Sequence, residues 1–137
     1  MRQRLFATAA IVAAISGAGL TAGPVNAGPA QSSRLTLTIA EGEDPAPIAH
    51  RRTLTCQPPG GDHPRAAAAC ADLTRANGDL ARLPGDPAHP GCPRDYRPVT
   101  VTARGHWQGR PVRFQRTYPN QCVLTASTGP VFDIQPR

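Results

Sequence analysis

Gly91-Cys92-Pro93-Arg94-Asp95-Tyr96-Arg97-Pro98 places a basic residue between a cysteine and two prolines. The chemistry available to this stretch is recognition. An arginine can reach into an acidic pocket of another protein and make a charge-assisted, bidentate pair with a carboxylate there. On a flexible loop such an arginine is ordinary protease substrate. On a loop already fixed by a crosslink and prolines, docking costs little conformational entropy, and tight binding becomes available. The segment reads as protease bait on a rigid holder.

Other chemistries find less support. Beyond residue 27 the only serines are Ser32, Ser33 and Ser127, and none sits in the Gly-x-Ser-x-Gly setting of a hydrolase nucleophile. The spacings of His50, His63, His89 and His106, and of the four cysteines, miss the short patterns of zinc sites, so neither metal nor cofactor is expected. His63, just ahead of Pro64, is read as ordering the start of a helix, and Trp107 as a core or dimer-face residue. Nucleic-acid recognition favours a basic stripe with interleaved aromatics, whereas the basic residues here, all arginine, are scattered along the chain. No nucleic-acid partner is expected.

Arg2 and Arg4 precede an apolar run from Leu5 to Leu20 and then Val25-Asn26-Ala27. Ser16, Gly17 and Gly19 interrupt the run, which falls short of the roughly 20 apolar residues of a membrane span. Residues 1–27 are read as a secretory signal removed after Ala27, leaving an extracellular chain from Gly28 with no membrane segment. Removal takes away two arginines and no acid, so the net charge falls from +6 by two. Cys56, Cys70, Cys92 and Cys122 form an even set in an exported chain, which points to two disulfides. Three connectivities are open; sequential pairing closes the shortest loops and is the expected one, each bridge restricting the unfolded chain by about 3–4 kcal/mol.

The elements that must hold the bait follow from periodicity. Residues 28–34 bury little and read as a mobile arm, leaving a single domain over 35–137. Leu35, Leu37 and Ile39 alternate with threonines as in a half-buried strand. A second strand is expected over Arg51 to Cys56, stopped by Pro58-Pro59-Gly60-Gly61. A helix is expected over 64–76, with Pro64 in its first turn and Asn77-Gly78 as its stop, and a short helical turn near Asp79 to Leu83. Strands are then expected over Val99 to Thr102, Val112 to Tyr118 and Cys122 to Ala126, with a turn in Arg104 to Gly109 and Val131 to Ile134 closing the chain. The sum is an α+β layer with a helix on one face of an antiparallel sheet.

Leu54-Thr55-Cys56, Gly60 to Pro64, Ala69-Cys70-Ala71-Asp72-Leu73, Asn77-Gly78-Asp79-Leu80, Cys92-Pro93, Tyr96, Pro98-Val99, Gly105 to Gly109, Asn120-Gln121-Cys122 and Val131-Phe132 occur in this order. Carrying these residues, the chain resembles the Streptomyces subtilisin inhibitor family of secreted serine protease inhibitors. The resemblance implies a five-stranded antiparallel sheet with two helices packed on it, sequential disulfides, and a homodimer formed through sheet faces. It also implies a reactive bond two residues after the third cysteine, here Arg94-Asp95, within a protease-binding loop that includes Gly91, Cys92, Pro93 and Tyr96. Asn120 would support that loop from beneath by side-chain hydrogen bonds, and Cys92 would anchor it to Cys122 on a neighbouring strand. The implied activity is inhibition, not catalysis. Trypsin-like proteases would be the first partner because of Arg94, and subtilisin-like proteases the second.

Two positions depart from the subtilisin-directed pattern. Arg94 stands where the best-known inhibitor of subtilisin has methionine, and Gly91 where an apolar side chain often fills a secondary pocket. A rival reading from another class is a non-inhibitory cationic protein that adheres to anionic extracellular polymers and is indifferent to Arg94.

Overall fold

In the computed structural model, residues 32–136 are described, and ahead of them only 19, 20, 22 and 23. Most of the expected signal segment and most of the expected arm therefore lie outside the described residues. Among the described residues no helix is long and apolar enough to cross a membrane.

The alternation of apolar residues and threonines in the first stretch produces a strand, β1 (Ser33–Glu41), two residues earlier than expected. Ser33 is buried and its hydroxyl accepts from the Gln108 amide and donates to Gln57, so the residues assigned to the end of the arm already belong to the sheet. β1 is central. It pairs antiparallel with β2 (Ile48–Cys56) on one side and β4 (Val99–Trp107) on the other. A two-residue strand, β3 (Gly60–Gly61), adds to the outer edge of β2, and β5 (Arg110–Tyr118) to that of β4. The five-stranded order is β3-β2-β1-β4-β5. β4 and β5 form a hairpin closed by Gln108 and Gly109 at φ 47 and 79, the positive pair that a tight two-residue turn demands and that glycine supplies at no steric cost.

Two helices cover one face. The first, α1 (Ala66–Arg75), lies within the expected range. Its start is ordered by His63, whose Nδ1 accepts from the Arg65 amide at 2.9 Å while Nε2 donates to the Val131 carbonyl at 2.9 Å. It stops at Asn77 (φ 52), and the Gly78 amide returns to the Leu73 carbonyl. A short 3-10 turn, Leu80–Arg82, follows as expected, capped by the Asp79 carboxylate.

The second helix corrects the sequence reading. Cys122 to Ala126 is not a strand but part of α2 (Gln121–Thr128). Val123 and Thr125 carry β-branches that favour strands, yet Asn120 caps the segment by accepting from the Val123 amide at 2.9 Å. Thr125 and Thr128 satisfy their hydroxyls on carbonyls four residues back, at 3.1 and 2.8 Å. Leu124 and Thr128, one turn apart, are the buried positions. A 3-10 turn, Gly129–Phe132, then closes the layer.

The core lies between this helical layer and the sheet. Leu35, Leu37, Ile39, Val101 and Trp107 meet Leu73, Leu124 and Phe132, all at most 1% exposed. Trp107 is thus a core residue. The bridge Cys56–Cys70 ties the end of β2 to α1.

His63 makes a pH prediction. Burial, the largest influence, lowers its pKa below the ordinary 6.5, against the opposing pull of the Val131 carbonyl and Asp133. Protonating Nδ1 would also forfeit its bond from the Arg65 amide. A folded-state pKa below the unfolded one means that the unfolded chain takes up the proton first. The stability tied to neutral His63 is therefore complete above 6.5 and declines as pH falls toward the folded pKa, at a slope of at most about 1.4 kcal/mol per unit. Urea unfolding from pH 7.5 to 5 should show this decline in the native protein and a flatter curve in His63→Gln; equal slopes would assign it elsewhere.

Candidate functional site

After the turn at Leu80–Arg82 the chain runs without regular structure to the start of β4 at Val99. Proline and glycine at 84, 85, 87, 90 and 91 account for that. Gly91 to Arg97 arches over a cleft of about 730 Å³ lined by Ile39, Glu41, Arg97, Asn120 and Gln135 among others. The arch therefore stands on a few discrete ties and not on a packed bed.

The first tie is covalent. Cys92 and Cys122 are bridged, with Cα atoms 5.6 Å apart. Both bridges follow the expected sequential pairing, but Cys122 presents its sulfur from the first turn of α2, not from a strand. A helix fixed by its own hydrogen bonds and its packing on the core is a firm anchor for the near end of the loop.

The second tie is Asn120. Its side chain is buried, and Nδ2 donates to the carbonyls of Pro93 at 3.1 Å and Asp95 at 2.9 Å. These are the carbonyls on either side of Arg94. Oδ1 of the same amide caps α2 through the Val123 amide. One asparagine thus uses three hydrogen bonds to join the loop backbone to the helix. Among the described residues no donor reaches the Arg94 carbonyl, and the Arg94 side chain is exposed without a hydrogen bond or ion pair.

The far side of the arch is held as well. The Arg97 amide donates to the Pro119 carbonyl at 2.9 Å, and the Pro98 carbonyl accepts from Gly42 at 2.7 Å. The Arg97 guanidinium pairs with the Asp95 carboxylate at 2.9 Å. Tyr96 is exposed, and its hydroxyl donates to Glu43; that carboxylate raises the Tyr96 pKa above 10.0 and keeps the phenol protonated as donor. At the near end, Gly91 has φ +102 with nothing within 4 Å of where a Cβ would lie. Glycine is needed there for the backbone angle, not for room.

All the residues singled out in the sequence, Gly91 to Tyr96 with Asn120 and Cys122, meet at this arch. The sequence reading missed Arg97 and Glu43. Arg97 had a local signal, since an acid and a base two residues apart in an extended segment project to the same side. Glu43 had none, being 53 residues from Tyr96.

His89, Cys92 and Cys122 place ligand-type atoms within 4.8 Å of one another, and they form the only such group of three among the described residues. Both sulfurs are spent in the bridge, and only thiolate sulfur binds a metal well. His89 instead lies against the disulfide, 3.8 Å from each sulfur.

The site is thus an exposed arch tied down by one disulfide and by Asn120, with the Arg94 carbonyl and guanidinium unbonded among the described residues. The chain belongs to the subtilisin inhibitor-like family, whose model matches residues 31–120, and so to a class of protease inhibitors and not of enzymes. It is 41% identical over 126 residues to a subtilisin inhibitor of Streptomyces violaceus, covering 90% of this chain and 86% of the relative. It is 45% identical over 130 residues to a subtilase-type protease inhibitor of Streptomyces fradiae, covering 90% and 91%. Among solved structures it is similar to Streptomyces caespitosus sermetstatin in complex with Bacillus licheniformis subtilisin. That match has a TM-score of 0.64 and 35% identity, and covers 75% of this chain and 99% of sermetstatin. The five-stranded sheet, two helices and two sequential disulfides expected from the resemblance are all present. The non-inhibitory reading is not favoured by this kinship.

Proposed function

We propose that the protein is a secreted, reversible inhibitor of serine proteases that presents Arg94-Asp95 as its reactive bond. Trypsin-like enzymes are its first target and subtilisin-like enzymes its second, and it acts as a homodimer joined through the sheet face that the helices leave open. The observation that carries this reading is the placement of Asn120, whose Nδ2 holds the carbonyls before and after Arg94 and leaves that of Arg94 itself unbonded.

In the mechanism that follows, the loop enters the enzyme cleft as an extended strand and the Arg94 carbonyl meets the catalytic serine and oxyanion hole. The Arg94 guanidinium pairs with the carboxylate of an acidic specificity pocket. The enzyme does the chemistry. When the bond is cut, Cys92–Cys122 holds the acyl side and Asn120 holds both sides, so the new amine stays beside the ester and rejoining competes with hydrolysis. Slow release is then inhibition. Kinship with sermetstatin, solved with a subtilisin, supports the second target, and Arg94 supports the first.

Titration of trypsin and of subtilisin, each with the purified chain beginning at Gly28, tests the proposal. Both activities should be abolished near one equivalent of inhibitor chain, trypsin more tightly. Rapid digestion of the protein without loss of either activity would contradict it.

A further inference from the structure

We infer that Arg97 is a positioning residue of the inhibitory loop: by holding the Asp95 carboxylate it lets an acid stand directly after the reactive bond and keeps the cut end placed for rejoining. The inference rests on the reading that Arg94-Asp95 is that bond.

An acid in this position poses a physical problem. As the enzyme covers the loop, the Asp95 carboxylate loses water, and a desolvated charge without a partner costs far more than an exposed pair contributes. The loop supplies a partner of its own. Arg97 Nε lies 2.9 Å from Asp95 Oδ2, and no other cation is paired with Asp95 among the described residues. In isolation the pair is weak, since the Arg97 side chain is 87% exposed and that of Asp95 39%. Docking raises its importance because the same carboxylate then has no water to fall back on.

The Arg97 backbone is not free to drift with the cut end. Its amide is bonded to the Pro119 carbonyl, and Pro119 adjoins the Asn120 that holds the Asp95 carbonyl. None of these ties passes through the Arg94-Asp95 bond, so all of them survive its cleavage.

Cleavage adds one water across the bond, leaving a carboxylate on Arg94 and an α-ammonium on Asp95; rejoining expels that water and requires the amine to shed its extra proton. An Asp95 carboxylate without a partner would turn toward its own α-ammonium, hold the proton there and swing the nitrogen away from the acyl group. Pairing with Arg97 draws the carboxylate to the other side. Arg97 thus acts through Asp95 and touches no reacting atom.

The test compares the native protein, Arg97→Ala, Asp95→Asn and the double variant. It reads the trypsin inhibition constant, the ratio of cut to intact inhibitor at equilibrium, and the melting temperature. Arg97→Ala should weaken inhibition by about tenfold and shift the ratio toward the cut form by about threefold, with melting unchanged. In the Asp95→Asn background the same substitution should change either quantity by less than about twofold, because the charge it serves is gone. An Arg97→Ala protein with native constant and ratio would overturn the inference, as would equal effects in both backgrounds. If the native protein is not cut at Arg94-Asp95, the assignment of the bond fails and takes the inference with it, an outcome seen without any variant.

Discussion

Arg94→Ala should raise the inhibition constant for trypsin by about 100- to 3,000-fold, corresponding to about 3–5 kcal/mol, as for removal of a central anchor from an interface. Thermal stability should hardly change, because the side chain is exposed and makes no hydrogen bond or ion pair with the described residues. The effect on subtilisin should be smaller. An enzyme without an acidic specificity pocket gains only the apolar stem of the arginine, part of which alanine retains. Inhibition constants for both enzymes, measured beside a melting curve, check all three points. An unchanged constant for trypsin would remove Arg94 from the contact.

Asn120→Asp should convert the inhibitor into a substrate. The substitution divides the two tasks of one side chain. A carboxylate oxygen can still accept from the Val123 amide and cap α2, so the helix should survive. The two donations to the Pro93 and Asp95 carbonyls are lost, and oxygen replaces nitrogen beside them. Each hydrogen bond contributes about 1 kcal/mol, and the part-buried carbonyls left facing a carboxylate add to the loss. The loop backbone then gains the freedom that separates bait from substrate. The expected result is at least about a 30-fold weaker inhibition constant and steady cleavage by trypsin, with the melting temperature near native. Retained inhibition in a folded Asn120→Asp protein would show that the bridge alone keeps the loop in shape.

Much of this site could be read from residue types because its parts are local or covalent. Gly91 to Pro98 carries its own stiffness in proline and cysteine, and an even cysteine set in a chain read as exported announces crosslinks before any fold is known. The strands of the sheet center announced themselves by alternation in Leu35 to Ile39, and α1 by Pro64 and Asn77-Gly78. Where the reading failed, long-range forces decided. Val123 and Thr125 look like strand residues, and only the cap at Asn120 together with a buried stripe at Leu124 and Thr128 makes them helical. Residues 33–34 look like a solvated arm until the Gln108 turn comes round to bond Ser33. Glu43 gains meaning only when the sheet brings the β1–β2 connection beneath Tyr96. The loop support at Asn120 was suggested by the resemblance; its second task as helix cap was hidden by the mistaken strand.

A scaffold that keeps both ends of the cut bond in place makes cleavage of the loop reversible. Prolonged incubation with a catalytic amount of trypsin, started once from intact and once from cut protein and followed by mass spectrometry, measures this directly. A single cut, between Arg94 and Asp95, is expected, with the two mixtures converging on one ratio of cut to intact protein. Cutting at another bond, or cut protein that never returns to the intact form, would contradict it.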